Sequence, residues 1–465
     1  MLPYDYRAFI TINCVLVLSN IGLSMAQVPN KLDPSSNPLL FPTKPEEITI
    51  QKTVPITLEQ ALELAIRNNN DRKVSLLQVE RSQEALKEAQ ASLFPSVNIS
   101  TSLNYEQNTT NTLLQQQTIL NTAFGNNLPN TTTFNTQVQL SYDLYTSGKR
   151  TATIKQAEYQ LWSDKLGIKS SSIRLNVKLY YYNLQQADEQ VRVFQSSVMN
   201  AQASLRDAIA LERAGVGTRF DKLRSQVNLA NAQQQLTKAF AQQLIARRQL
   251  ATLLNLSQLV NISAADAVQI AGLWNKTLED SIILAYQNRT ELKQQVVQRN
   301  ISEQQLRQAL SSSSPQISSN LNYNLLDNFD DQVNVSDGYS QSIQATWNLF
   351  GGGATRAKAE QARANIAIAE VSFSEQLKQV RFQVEQAFYQ QKSNLDNVQT
   401  ANAALELARE ALRLARLRFQ SGVGTQTDVI NALNDLTTTE GNRATAILDY
   451  NRSLAQLERY APKTH

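Results

Sequence analysis

The sequence predicts an α+β membrane protein that combines four membrane-crossing β-strands with long coiled-coil helices. Three observations predict this class. Long proline-free spans, such as 130–314, carry apolar residues at a 3.5-residue period, which is typical of coiled coils. Four shorter segments alternate apolar and polar residues, which is typical of strands with one apolar face. This order of helices and strands occurs twice along the chain.

Two long apolar stripes predict the longest helices. The first is apolar at every step of four and three residues, and in the second only Gln391 and Asn394 break the pattern. The first stripe comprises Ile173, Val177, Tyr180, Leu184, Ala187, Val191, Phe194, Val198, Ala201, Leu205 and Ala208. The second runs from Phe373 to Phe419. With the proline positions, the stripes predict helices over 57–94, 149–214, 219–255, 277–313, 354–421 and 425–458.

A duplication divides the chain into two repeats, 57–275 and 276–460. The segment "TLEQALELAIRNN" (57–69) matches "TLEDSIILAYQNR" (277–289), and a proline, Pro95 or Pro315, follows each at the same distance. After each proline come two segments in which apolar and polar residues alternate. The predicted strands are about 96–106, 134–145, 316–326 and 339–350.

The N-terminal 26 residues have the pattern of a secretory signal peptide. Arg7 precedes an apolar stretch that ends near Leu23, and "SMAQ" offers small residues for cleavage after Ala26. The alternative is a buried or anchoring helix. Residues 27–56 are proline-rich and predict an extended or disordered leader.

Composition excludes several classes of protein. The formal net charge is only +4, without a basic cluster, which argues against nucleic acid as a partner. The chain has one cysteine, Cys14, and one histidine, His465. Disulfide frameworks, Cys/His zinc sites, cysteine nucleophiles and histidine-based triads are therefore excluded, and we expect no enzyme, cofactor or metal.

Three short segments could suggest ligand-binding sites, but none matches the sequence pattern of a known phosphate-binding or Ca²⁺-binding motif. "TSGKRT" (146–151) and "FGGGATR" (350–356) lack the phosphate-loop pattern, and each lies where a strand turns into a helix. Asp327, Asp330 and Asp331 could collect Ca²⁺ in a loop, but their spacing is not that of an EF-hand.

The strand count implies that several copies share one barrel. No segment reaches about 18 consecutive apolar residues, so a membrane crossing must use strands. Four strands cannot close a barrel, and open edges are excluded from lipid. Two copies would give a barrel packed solid, whereas three would give twelve strands and a lumen. The alternatives are a soluble protein with two exposed hairpins and a periplasmic coiled-coil adaptor or scaffold without a pore.

A "GVGT" motif follows each long stripe and predicts a hairpin tip, at 215–218 and 422–425. The first glycine of each motif lies where a helix C-cap glycine belongs, and the second, Gly217 or Gly424, is expected to adopt positive φ. The threonines are expected to cap the returning helices, with Asp221 and Asp428 in their first turns. A role in chain reversal alone is one interpretation of the motif.

The body of the chain, about 57–458, resembles the TolC-type outer-membrane efflux proteins in its repeat, its strand count and both tips. The resemblance implies a homotrimer with a twelve-stranded barrel in the outer membrane of a diderm bacterium, continued by an α-helical coiled-coil barrel, the periplasmic tunnel. It implies a passive export duct for small molecules or unfolded proteins, in drug efflux or type I secretion. The implied partners are outer-membrane lipid, a periplasmic adaptor and an inner-membrane pump of the RND, ABC or MFS type.

The resemblance also assigns site residues at the tips. Asp428 matches the first of two aspartates that line the family's aperture, but the second position holds Asn431, which weakens the ring. Asp221 matches the residue that locks neighbouring hairpins. The arginine opposite it falls at Gly424 here, so Arg219 is the candidate substitute. The expected adaptor-docking residues are Gly215, Val216, Gly217, Thr218, Gly422, Val423, Gly424 and Thr425.

Overall fold

The computed structural model describes residues 44–462 except 48, 51, 108–129, 169, 257–259 and 330–334. The expected signal segment, most of the leader, and Asp330 and Asp331 lie outside the described residues. The chain forms two units, residues 1–52 with 257–260, and residues 53–256 with 261–465. In the first unit, Pro45–Glu47 form a 3-10 helix. Among the described residues, no helix combines the length and apolar character that a membrane span requires.

Long helices and short strands make up the described elements. The helices are α1 (Leu58–Asn68), α2 (Asn70–Ala91), α3 (Lys149–Leu166), α4 (Ser170–Arg213), α5 (Arg219–Leu253), α6 (Leu278–Asn288), α7 (Thr290–Ser311), α8 (Ala354–Gln420) and α9 (Gln426–Tyr460). The strands are β1 (Lys52–Ile56), β2 (Ser96–Gln107), β3 (Asn130–Tyr145), β4 (Val260–Ala264), β5 (Gln316–Asn328) and β6 (Ser336–Thr346).

The second apolar stripe is buried along α8, as predicted. At 67 residues, this helix spans roughly 100 Å. It packs against α9 in its C-terminal part and against α6 and α7 in its N-terminal part, so two shorter helices cover one long helix. The two polar positions in the stripe serve this contact. Gln391 is buried, and Asn394 donates hydrogen bonds to the Asp449 carbonyl at 3.2 Å and to Ser453 Oγ at 3.3 Å.

The first stripe needs one correction, at Tyr180, which is exposed. Tyr181 is buried in its place, with its hydroxyl 2.7 Å from Asp266 Oδ2 and 3.0 Å from the Ile56 carbonyl oxygen. Burial and the hydrogen bond to Asp266 raise the pKa of Tyr181. This core lies beside the two-stranded sheet of β1 and β4, which the sequence did not predict.

The helix predicted over 57–94 is two helices. Asn69 adopts an extended backbone, φ −63° and ψ 128°, and its side chain accepts a hydrogen bond from the Arg72 N–H at 3.1 Å. Asparagine competes with helix continuation because its side chain can bond the backbone and cap a new helix. The helix predicted over 149–214 is also interrupted, since α3 ends before Gly167.

The equivalent break in the second repeat, within 277–313, lies at Arg289. This residue is extended, and its buried guanidinium donates to Gln383 at 2.6 Å and lies over the Tyr460 ring at 5.4 Å. Glu291 accepts hydrogen bonds from Arg289 at 3.3 Å and from Arg459 at 2.5 Å. Burial opposes ionisation of Glu291, but these hydrogen bonds and positive charges outweigh it and lower its pKa to about 2.

Four strands form one antiparallel sheet in the order β2-β3-β5-β6. Val97 lies opposite Leu140, and Leu140 lies opposite Leu321, so apolar side chains of neighbouring strands share a face. β6 ends at Thr346 and not at 350 as predicted. Trp347 is outside the strand, and its indole N–H donates to the Ser313 carbonyl oxygen at 3.0 Å.

Candidate functional site: the hairpin tips

Both "GVGT" segments form the same turn at the end of a long helix. At the first tip, the Gly215 N–H donates to the Glu212 carbonyl at 3.1 Å and the Val216 N–H donates to the Leu211 carbonyl at 3.1 Å. This is the Schellman pattern, which requires a left-handed residue. Gly215 supplies it with φ +77°.

The second tip repeats the turn with Gly422 at φ +74°. The Gly422 N–H donates to the Phe419 carbonyl at 3.1 Å, and the Val423 N–H donates to the Arg418 carbonyl at 3.0 Å. The helix-cap role predicted for the first glycine of each motif is therefore confirmed. Each turn satisfies carbonyl groups that the helix end would otherwise leave unpaired.

The positive φ predicted for Gly217 and Gly424 is wrong, because neither residue adopts it. These glycines are needed for space. A Cβ on Gly217 would lie 2.9 Å from the Leu211 carbonyl carbon, and one on Gly424 would lie 3.0 Å from Arg418 Cβ. The chain folds back so closely over the helix end that a side chain does not fit without a backbone shift.

The threonine of each motif caps the returning helix in a capping box. Thr218 Oγ1 accepts from the Asp221 N–H at 3.1 Å, and the Asp221 carboxylate accepts from the Thr218 N–H at 3.3 Å. Thr425 and Asp428 do the same at 3.2 Å and 2.9 Å. Hydrogen bonds from the backbone and side chain of Thr425 lower the pKa of Asp428 below its usual range. Both aspartates therefore lie in the first turn, where the helix dipole favours negative charge.

The two predicted aperture residues lie on one exposed face of α9. Asp428 and Asn431 are three residues apart, and both are exposed. Asp435 continues the same face one turn further and is exposed as well. This face points away from the core of α9, where Val429, Leu433 and their neighbours are buried.

The lock candidates do not pair with each other within one chain. Asp221 is engaged by Thr218, and Arg219 is two residues away on the same helix, a spacing at which side chains do not face each other. The ion pair that closes the first tip is Lys222 Nζ to Glu212 Oε2, at 3.0 Å.

Sequence reasoning missed the bonds that join the two hairpins of one chain. The Gln426 side chain is 1% exposed, and its Nε2 donates to Ser204 Oγ at 2.6 Å and to Ser225 Oγ at 2.9 Å. Arg224 Nη1 donates to Thr427 Oγ1 at 2.6 Å. One signal was available, because Ser225 begins a seven-residue series that continues with buried alanines. Those alanines are Ala232, Ala239 and Ala246.

Small side chains surround these polar bonds. The buried cluster near the tips joins α4, α5, α8 and α9 and is half alanine. Its members are Ala201, Ala232, Leu412, Val429, Ala432 and Leu433. The tips themselves are exposed, including the apolar side chains of Val216 and Val423.

A family model described as "Outer membrane efflux protein" matches residues 61–256 and 282–461, which is most of the chain. The chain belongs to the outer membrane efflux protein family. The two matched ranges cover both repeats and both tips. The prediction of an efflux duct in the outer membrane is therefore confirmed, and the scaffold without a pore is not favoured. The family consists of transport channels and not of enzymes.

Solved structures of outer-membrane channels share the fold of this efflux protein. CusC has a TM-score of 0.75 at 16% identity, covering 91% of this chain and 95% of its own. The Campylobacter jejuni CmeC channel has a TM-score of 0.72 at 17% identity, covering 87% and 85%. The Neisseria gonorrhoeae MtrE channel, in its open state, has a TM-score of 0.70 at 16% identity, covering 91% and 96%. No curated protein sequence matches the chain.

Proposed function

We propose that three copies of this efflux protein close a twelve-stranded barrel in the outer membrane and form the exit duct of a tripartite export system. The observation that carries the proposal is the four-stranded sheet. In the described part of the chain its edge strands, β2 and β6, each pair with one neighbour only. Lipid does not tolerate unpaired backbone, so these edges need partners from other copies.

The two faces of the sheet support a division between lipid and water. One face carries Val97, Ile99, Leu140, Leu321 and Tyr323, aligned across the strands. The other carries mainly Asn, Gln and Ser. The strands have 11 to 16 residues, enough for the roughly ten that a tilted crossing requires.

The helices would continue the barrel as a tunnel through the periplasm. The α4–α5 and α8–α9 hairpins end at the two tips, so three copies would bring six tips together. We further propose that residues 1–26 direct export across the inner membrane and are then removed.

The aperture of the duct would lie at the tips, with Asp428 and Asn431 facing the lumen. Three copies would set three Asp428 carboxylates around the axis and favour cations. Asn431 adds hydrogen-bonding groups without charge. A lock between Asp221 and Arg219 would have to form between copies, where solvent and salt would screen the exposed Arg219.

The exposed tips would be the docking surface for a periplasmic adaptor. Val216 and Val423 offer apolar side chains there, and Gly215 and Gly422 expose backbone. An adaptor at the tips would connect the duct to an inner-membrane pump of the RND, ABC or MFS type. The cargo would be small molecules, unfolded proteins or both.

Fractionation, unheated gel electrophoresis and planar-bilayer conductance test the proposal. We expect the protein to sediment with the outer membrane, to migrate as a trimer without heating, and to form channels in the bilayer. A monomer in the periplasmic wash, or a trimer that never conducts, would reject the duct. N-terminal sequencing of the purified protein is expected to begin at Gln27.

A further inference from the structure

The helices of the two hairpins are covered unequally within the chain. α4 packs against α5 on one side and α9 on the other, and α9 likewise lies between α4 and α8. α5 packs mainly against α4, and the C-terminal half of α8 packs mainly against α9. The outer faces of α5 and α8 are therefore uncovered near the tips.

The uncovered face of α5 carries an apolar stripe. Phe220, Leu223 and Val227 follow one another at steps of three and four residues and are 68%, 50% and 60% exposed. Ala230 continues the stripe and is exposed. These side chains lie opposite Ser225, which is buried and accepts a hydrogen bond from Gln426 of α9, so they point away from the helices packed against α5.

The uncovered face of α8 carries a second apolar stripe. Leu407 and Leu414 are seven residues apart, and they are 74% and 46% exposed. Ala403 and Ala411 are exposed beside them. The neighbouring Leu412 is buried against α9 on the other side of the helix. α5 and α8 therefore each have one apolar stripe for their own hairpin and one that has no partner among the described residues.

The second hairpin shows that the α5 stripe is not a general property of the tips. In the duplicated α9, the equivalents of Phe220, Leu223 and Val227 differ in chemistry or burial. Thr427 accepts a hydrogen bond from Arg224, Ile430 is buried, and Asn434 is polar. Exposed apolar side chains therefore occur on the returning helix that lacks a second neighbour.

The sheet topology identifies the occupant of both stripes. In a closed barrel, β6 of one copy must pair with β2 of the next, because these are the edges of the sheet. Since α4 and α9 already face each other within one chain, closure of the ring brings α8 of one copy beside α5 of the next. The faces that meet in this arrangement are the two apolar ones.

We propose that Phe220, Leu223 and Val227 of one copy pack against Leu407 and Leu414 of α8 in the adjacent copy, and that this apolar contact holds the tips closed. The inference rests on the proposed trimeric duct and adds what joins its copies at the aperture. Burial of apolar surface is not screened by salt, so closure held this way does not depend on an ion pair.

Disulfide cross-linking tests which surface covers the stripes. Cys14 is the one cysteine of the sequence and lies within the expected signal peptide. In the processed protein, only the introduced cysteines can therefore form disulfide bonds. We combine Leu223→Cys or Val227→Cys with Leu407→Cys or Leu414→Cys in the full chain, with each single variant as the control. At least one pair is expected to give a covalent trimer under oxidation. An intact trimer in which no pair cross-links overturns the inference and leaves the duct standing.

Conductance tests whether the contact closes the aperture. Leu223→Ser with Val227→Ser is expected to raise channel conductance in planar bilayers, and Leu407→Ser is expected to act in the same direction. Gln226→Ser, an exposed position outside the stripe, is the matched control. Unchanged conductance with loss of export in cells means that a partner protein covers the stripe, which overturns the inference. Absence of any oligomer in the unheated gel instead rejects the proposed function.

Discussion

The Gln426 amide lies 2.6 Å from the Ser204 hydroxyl, which joins the start of α9 to the C-terminal part of α4 across 222 residues of sequence. The same amide nitrogen reaches Ser225 at 2.9 Å, so a single buried side chain connects three helices. Its oxygen, Oε1, is buried without a hydrogen-bond partner. The hydrogen bonds of the Gln426 side chain to the other helices are thus both made by its amide nitrogen.

Two replacements of Gln426 are expected to distinguish how much packing and how much hydrogen bonding contribute to the stability of the folded protein. Gln426→Ala removes both and should destabilise the protein by about 1–3 kcal/mol. Gln426→Leu keeps the volume and eliminates the unpaired oxygen, so it should cost less. Thermal unfolding of the two variants in the same detergent measures the order. Equal losses would show that the hydrogen bonds, and not the packing, hold the hairpins together.

Asp428→Asn is expected to reduce the preference of the channel for cations while the capping turn at Thr425 stays folded. Its amide oxygen can still accept from the Thr425 N–H, whereas Asp428→Ala loses both the cap and the charge. The pKa of Asp428 is lowered, so the wild-type preference should persist through neutral pH and disappear only below the usual aspartate range. Reversal potentials in salt gradients measure the preference. An unchanged preference in both variants would remove Asp428 from the aperture.

Asn431→Asp is expected to strengthen the aperture ring. The new carboxylate would lie one turn from Asp428 on the same exposed face, giving two acidic rings in a trimer. Divalent cations should then block conductance at lower concentrations than in the wild type. Titration of Mg²⁺ or Ca²⁺ during bilayer recordings tests this. Gln226→Asp, an exposed position on α5 and not on this face, is the control, and equal block by both variants would contradict the assignment.

Glu291→Gln is expected to destabilise the protein in a pH-dependent way. The folded pKa of Glu291 is about 2 against an ordinary value of 4.5, so the carboxylate contributes stability that is complete above about pH 4.5. This contribution, of the order of 3 kcal/mol, is lost as pH falls toward 2. Unfolding midpoints of wild type and variant should therefore converge in acid. A constant difference across this range would show that ionisation of Glu291 is not the cause.

Asparagine substitution is expected to distinguish the two glycines of one tip. Gly215→Asn should be tolerated at a cost of roughly 1 kcal/mol, because asparagine accepts positive φ and a Cβ there meets no atom within 4 Å. Gly217→Asn should cost more, because its Cβ would lie 2.9 Å from the Leu211 backbone. Thermal unfolding and outer-membrane yield compare them. The reverse order would contradict the turn geometry.

The sequence predicted the features that follow from periodicity. The α8 stripe from Phe373 to Phe419 is the strongest case, because a long repeat averages out local exceptions. The alternating strands were placed correctly apart from their ends, since Pro95 and Pro315 fix where β2 and β5 begin. Helix ends at the "GVGT" motifs were predictable because glycine and threonine have specific roles in caps.

Other features depend on contacts between distant residues and could not be predicted. The break at Arg289 is such a case, because its buried charge is stabilised by Glu291 and Gln383, which no local propensity encodes. Tyr180 and Tyr181 are adjacent and both suit the core, and the groups that bind the Tyr181 hydroxyl, Asp266 and the Ile56 carbonyl, come from distant parts of the sequence. The Gln426 link joins segments more than 200 residues apart.

The alanine-rich cluster between the hairpins has a mechanical consequence. Methyl groups such as those of Ala201, Ala232 and Ala432 leave few projections to interlock, so one hairpin can rotate past the other with little repacking. Within one chain, resistance to this rotation then comes from a few discrete bonds at Gln426 and Arg224. We expect the passage to behave as a two-position valve with abrupt transitions, and not as an orifice whose width varies smoothly with applied force.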